Sequence, residues 1–189
     1  MGGRVLIVGG SEEYTGALYL AGVSALRAGA ESVIVMCPEK VAWALNSLSP
    51  DLITRKLHGK FLSLAHKTAI MRQLKTADVL LLGNGASTRP ATAALMRALC
   101  KWPGPKVIDA DALKALRDNG ASNAILTPNA GEWILLKKNN DIKKLLSQNV
   151  VIIKKGMPTE ILSSAKTFRQ RRTNRGLEKA GTGDVLAGL

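Results

Sequence analysis

The chain has 189 residues, 46% hydrophobic, 22% charged and 4% aromatic, with two cysteines and a formal net charge of +13. A length of this order makes a single domain, residues 1–189, that buries roughly 70% of the surface its unfolded chain exposes. No disulfide framework is needed, and Cys37 and Cys100 lie far apart without a CxxC or Cys/His cluster to hold zinc. No apolar run approaches the roughly 18 residues that span a bilayer, and the first residues lack the pattern of a signal peptide. Membrane insertion and secretion are therefore not expected, and a reduced, cytoplasmic setting is.

Residues 4–8 are a continuous leucine and β-branched run that stops at Gly9 and Gly10, the pattern of a strand buried on both faces. From Gly16, small and apolar residues at Ala17, Leu20, Ala21, Ser24 and Ala28 recur at helical spacing until Gly29 supplies a stop. The alternation then repeats, with a strand at 32–36, a helix at 41–48, a short strand at 52–55 and a helix at 64–75. It continues through a strand at 78–82, a helix at 90–99 with proline in its first turn, a strand at 106–108, a helix at 112–118, a strand at 124–126 and a helix at 132–137. The polar stretch 137–144 reads as a helix end and loop. Residues 150–153 are again β-branched, residues 159–162 with the polar segment after them read as an antiparallel hairpin at the sheet edge, and a short helix opens at Thr182. Strands alternating with helices define an α/β chain, a mostly parallel sheet covered on both faces, whose ligands gather outside the carboxyl ends of the strands.

The loops at those ends carry the chemistry. After the first strand, Gly9, Gly10 and Gly16 permit close backbone approach to a ligand, but the spacing fails GxGxxG, and Glu12 and Glu13 would repel a pyrophosphate. The stretch Gly83-Asn84-Gly85-Ala86-Ser87-Thr88 has amides and hydroxyls able to hold a phosphate or ribose. Asp109 and Asp111 place two carboxylates at a strand end, where Asp111 either caps a helix or sits near a nucleotide-bound magnesium. Asn129 and Glu132 read equally as a capping box or as two groups facing a site from one turn. Lys155 and Gly156 can lie along phosphates, although no Walker loop occurs anywhere. In the last motif, Gly181, Thr182 and Gly183 expose successive amides at a helix start, and Asp184 can accept a proton from an attacking hydroxyl.

The charge of +13 invites a nucleic-acid reading, but its distribution argues otherwise: the first fifty residues balance at −1. The tight basic cluster, Lys166, Arg169, Arg171, Arg172, Arg175 and Lys179, holds one aromatic, Phe168, and lacks the repeated interleaved aromatics that would stack on successive bases. Nucleic acid is not the expected partner. A solvated face, or one that meets anionic small molecules, is.

A Gly-Thr-Gly-Asp turn opening a helix, late in an α/β chain without a Walker loop, resembles the ribokinase-like superfamily. Within it the chain is most similar to the NAD(P)H-hydrate dehydratase family. The stretches GRVLIVGGSEEYTGA, GNGAS, VIDADAL, LTPNAGE, KKGMPTEI and AGTGDVLAGL occur in family order across nearly the whole chain, each common alone and specific together. The resemblance implies a three-layer α/β/α ribokinase-like domain with a mostly parallel central sheet. It implies dehydration of NAD(P)H-hydrate, NAD(P)HX, to NADH or NADPH, driven by ADP or ATP as co-substrate, with Mg2+ required. By the same resemblance ADP or ATP lies near Lys155, Gly156, Met157, Pro158, Thr159 and Gly183, and NAD(P)HX near Ala17, Gly85, Asn129 and Asp184. Asp184 would be catalytic, activating the ring hydroxyl, and the amides of Gly181, Thr182 and Gly183 would form an anion hole. No metal ligand set is assigned; Glu132 and Asp109 are candidates. A homo-oligomer is expected. Relatives show histidine where Asn129 stands and continue beyond AGTGDVLAGL, so the domain is expected to lack their usual C-terminal helices. Two alternatives stay open: a small-molecule kinase such as hydroxymethylpyrimidine kinase, whose glycine-rich opening this chain lacks, and a truncated nucleotide-binding protein without turnover.

Overall fold

The computed structural model describes residues 2–170, 172 and 174–189, with the side chain of Arg175 left out of the description. In chain order the elements are β1 (Arg4–Val8), α1 (Thr15–Arg27), β2 (Ser32–Pro38), α2 (Glu39–Leu48), β3 (Ile53–Leu57), α3 (Lys67–Gln73), β4 (Val79–Leu82) and α4 (Pro90–Cys100). They are followed by β5 (Lys106–Ile108), α5 (Ala110–Ala115), β6 (Ala124–Leu126), α6 (Ala130–Asn139), α7 (Ile142–Ser147), β7 (Val150–Lys154), β8 (Glu160–Leu162), β9 (Thr167–Arg169) and α8 (Thr182–Gly188). One sheet has the order β3-β2-β1-β4-β5-β6-β7-β8-β9. Its pairings are parallel from β3 through β7 and antiparallel for β8 and β9, the edge hairpin read from the sequence.

Alternation along each parallel strand feeds two cores, because successive side chains of a strand point to opposite faces. Leu6, Leu80, Leu82, Ile108 and Leu126 face α4, α5 and α6, where Leu95, Leu99, Leu113 and Leu136 complete a buried cluster. Ile7, Leu81, Val33 and Val35 face the other way, against Leu18 and Ala21 of α1, Val41 and Leu45 of α2 and Ala187 of α8. This second layer does not reach the far strands. Ile125, Ile161 and Phe168 point to the α1 side and stay 40%, 38% and 52% exposed. The sheet is thus covered on both faces at its centre and on one face from β6 to β8, while β9 is exposed throughout.

Three elements differ from the sequence reading. The helix expected at 64–75 has only seven α-helical residues, with single 3-10 turns at Leu64–His66 and Leu74–Thr76 tightening its ends. The helix expected at 112–118 starts earlier, at Ala110, and ends at Ala115, because Leu116 turns extended at φ −66° and ψ 128°; Asp118 and Asn119 beyond it take left-handed φ of 56° and 54°. Within the stretch read as a loop, α7 forms under an Asp141 cap that accepts the Lys144 amide at 3.2 Å, and Leu145 is buried beneath it. Cys37 and Cys100 are free and buried, and burial pushes both thiols up to about 12, so neither is poised for redox chemistry.

Candidate active site

The carboxyl ends of β1, β4, β5, β6 and β7 lie side by side, and one polar network joins the loops that follow them. Asn84, just beyond β4, is fully buried. Its amide nitrogen donates to Asp184 Oδ1 at 2.8 Å and to Asp109 Oδ2 at 3.1 Å. Asp109, just beyond β5, accepts at Oδ1 from the Thr127 hydroxyl at 2.6 Å and from Lys155 Nζ at 3.1 Å. Buried carboxylates need such partners, since an uncompensated charge in the interior is costly. The backbone binds the same loops: Gly10 N donates to Asn84 O at 2.9 Å, and Lys155 N to Pro128 O at 2.8 Å.

Burial holds the Asp184 carboxyl above the ordinary aspartate range; the charge of Asp109 adds to this, while the Asn84 hydrogen bond and Lys155 oppose it. Glu132 is raised for the same first reason, burial, with the Asn129 amide and Lys155 pulling the other way. A half-buried carboxylate with a raised pKa, at the mouth of a parallel sheet, is the property of a proton acceptor.

The last motif is built around Gly181, whose φ is +88° and whose missing Cβ leaves room for Leu20 Cδ1, which a Cβ would meet at 2.5 Å. This left-handed residue starts α8, so that Thr182 and Gly183 open the helix and Asp184 projects from its first turn. The Thr182 hydroxyl donates to Leu177 O and Lys179 O, both at 2.8 Å, and so anchors the turn. Lys155 Nζ stands 3.1 Å from where a Cβ on Gly183 would be. The structure therefore brings together Lys155, from the end of β7, with Gly183 and Asp184, from the first turn of α8. Gly156 O accepts from the Thr159 hydroxyl at 3.0 Å, closing the turn that carries Met157 and Pro158 beside them.

Ala17 and Gly85 also meet. A Cβ on Gly85, at φ +60°, would lie 2.7 Å from Tyr14 O and 3.3 Å from Ala17 Cβ, so only glycine fits this approach of the β4 loop to α1. Asn129 builds the capping box: Oδ1 accepts the Glu132 amide and its own amide donates to Glu132 Oε2, both at 2.9 Å. Asp111 does not cap α5, whose N-cap position is Asp109. It instead accepts Ser87 N at 2.8 Å and pairs with Lys114 at 2.8 Å, tying the β4 loop to α5. Asn84 and Thr127, central to the network, were not singled out by the sequence; the signal lay in a polar residue between two glycines and a threonine at a strand end.

Among the described residues, no group of three His, Cys, Asp or Glu side chains could hold a metal ion. Both oxygens of Asp109 are committed to protein donors, and Glu132 spends one on the cap. The side chains present do not form a magnesium site of their own. Of the basic cluster, Arg171 and the Arg175 side chain lie outside the described residues; Arg169 pairs with Glu160 at 2.6 Å.

A mostly parallel α/β sheet with an acidic residue in a glycine-rich turn at its mouth defines a ribokinase-like protein. Solved structures agree: this chain superposes over 98% of its length on a ribokinase-like protein from Enterococcus faecalis, covering 69% of that chain, with TM-score 0.80 and 22% identity. It also matches an ADP/ATP-dependent NAD(P)H-hydrate dehydratase from Bacillus subtilis co-crystallised with ATP/Mg2+, with TM-score 0.77 and 25% identity, covering 98% of this chain and 70% of that one. Residues 5–189 match the family model described as NAD(P)H-hydrate dehydratase, and the chain belongs to that family. Among curated relatives, a bifunctional NAD(P)H-hydrate repair enzyme of Methanothermobacter thermautotrophicus is 36% identical across 99% of this chain. An ATP-dependent (S)-NAD(P)H-hydrate dehydratase of Entamoeba histolytica is 31% identical across 98% of it. The chain spans 40% of the first relative's length and 67% of the second's.

Proposed function

We propose that this chain, acting as one domain over residues 1–189, dehydrates NAD(P)H-hydrate to NADH or NADPH at the expense of ADP or ATP. The observation that carries the reading is the meeting of Asp184 and Lys155 at Gly183, a proton acceptor and a cation converging on one glycine-rich turn.

In this reading the nucleotide phosphates lie along Lys155, Gly156, Met157, Pro158, Thr159 and Gly183. The hydrated dinucleotide sits against Ala17, Gly85, Asn129 and Asp184. Asp184 takes the proton of the ring hydroxyl as that oxygen bonds to the terminal phosphorus and the bond to the nucleotide's bridging oxygen breaks. The amides of Gly181 and Gly183, with the Lys155 ammonium, hold the charge of the migrating phosphoryl group; the Thr182 amide, expected to join them, instead donates to Lys179 O at 3.3 Å. The phosphate ester then departs as inorganic phosphate while a ring proton is lost, which restores the double bond. Magnesium would arrive with the nucleotide phosphates and neutralise part of their charge. Among the described residues no helix is long and apolar enough to cross a membrane. A cytoplasmic homo-oligomer is the setting proposed.

The test is to mix hydrated NADH with ADP or ATP and magnesium and follow recovery of reduced-nicotinamide absorbance. Recovery that requires both nucleotide and protein is expected. Folded protein that binds nucleotide yet restores no absorbance would sink the dehydratase reading.

A further inference from the structure

Asn84 is the most buried polar side chain at the site, and the mechanism above gives it no part. It lies between two left-handed glycines, Gly83 at φ +111° and Gly85 at φ +60°, in a loop pinned by Gly10 N to its own carbonyl. Both hydrogens of its amide are spent on carboxylates that would otherwise repel: Asp184 Oδ1 at 2.8 Å and Asp109 Oδ2 at 3.1 Å. Its own Oδ1 is buried with no hydrogen-bond partner. A residue that leaves an acceptor unsatisfied in order to donate twice is held there for the donation, since an orphaned buried oxygen costs stability. With Oδ1 of Asp184 tied, only Oδ2 is left to receive a proton.

We propose that Asn84 is the positioning residue for Asp184: it fixes which carboxylate oxygen faces the substrate and couples that choice to the Asp109–Lys155 pair. The inference rests on the reading of Asp184 as the proton acceptor. The charged groups that bear on Asp184 are Asp109 from the end of β5 and Lys155 from the end of β7; α1, packed against α8, presents Leu20, Ala21 and Ser24 and no charge. The amide of Asn84 is therefore the neutral group that bridges the two carboxylates, while Lys155 meets Asp109 at its other oxygen.

Two variants test this. Asn84→Asp keeps the shape and removes the donor hydrogens; Asn84→Ala removes the side chain without adding charge, should the first fail to fold. A misplaced base costs on the order of 100-fold in rate, so kcat, measured below the melting range, should fall by about that factor in either variant with nucleotide Kd close to the parent; Tm should drop as well, more in Asn84→Asp, where a third carboxylate joins two that have lost their donor. A rise in nucleotide Kd that matches the loss in kcat, or a parental kcat, overturns the proposal. If the parent itself restores no reduced nicotinamide, the dehydratase reading fails, and the carbon resonance of the Asp184 carboxyl still decides this one. Its titration should move to higher pH in Asn84→Ala; an unmoved midpoint overturns the proposal.

Discussion

Individual residues carry the proposed chemistry through their partners. Asp184 accepts a proton only when ionised, and burial raises its pKa. The sign follows: kcat should fall as pH drops through a value above the ordinary aspartate range, earlier than for an exposed carboxylate. The folded state also holds this proton more tightly than the unfolded chain does. At neutral pH the ionised carboxylate therefore costs stability, a cost relieved as pH falls through the raised value. Asp184→Asn should accordingly lower turnover by about 10²- to 10⁴-fold, keep nucleotide binding by calorimetry, and leave Tm no lower than in the parent. Thr127 gives a contrasting case. Its hydroxyl donates to Asp109 Oδ1 at 2.6 Å with both groups buried, so Thr127→Val deprives a buried carboxylate of a donor. A loss of about 2 kcal/mol in denaturant titration is expected, with weaker nucleotide binding because Lys155 leans on the same oxygen.

Elements explain which parts of this were legible. The strands at 4–8, 106–108 and 124–126 and the edge hairpin were readable because β-branched runs and turn residues are local signals. The alternation of strands and helices led to a sheet covered on both faces, yet Ile125 is 40% exposed, because how far a helical layer extends is set by tertiary packing and leaves no local mark. The α7 helix was missed although Asp141 before Ile142, Leu145 and Leu146 is a capped apolar spacing; the lysines and asparagines around it masked the period. At the site, the glycine turn and Asp184 were visible, whereas Asn84 was not, since a link between positions 84 and 184 exists only once the loop after β4 meets the first turn of α8. α8 itself has seven residues, too few to persist alone, because helix nucleation is costly and isolated helices shorter than about 12 residues are marginal. It is docked on α1 through Ala187 in the core and by the Ser24 hydroxyl, which donates to Val185 O at 2.8 Å. Ser24→Ala should remove about 1 kcal/mol from that docking. Faster amide exchange confined to α8 and reduced turnover are expected, with exchange in β1 and β4 unchanged; exchange accelerated everywhere would mean that Ser24 supports the fold at large.

At the scale of the whole molecule, the charge of +13 and the basic stretches outside the site meet two ligands that are both polyphosphates in the proposed reaction. Charge of one sign raises the local concentration of an oppositely charged ligand and speeds its encounter, an effect screened over about 8 Å at physiological ionic strength. Contacts inside the site are another matter. Lys155, three-quarters buried and paired with Asp109, is screened far less than the exposed lysines are. The two contributions separate under salt. Rising ionic strength should slow nucleotide association in stopped-flow measurements while dissociation changes little. Replacing exposed lysines remote from the site, such as Lys67 and Lys75, should flatten that salt dependence without altering kcat. If dissociation instead accounts for the whole loss of affinity, the surplus charge has no steering role and Lys155 with the loop amides holds the phosphates unaided. An oligonucleotide gives the complementary measurement: a basic surface that only steers small anions should bind it weakly and without sequence preference, and should lose it steeply as salt rises.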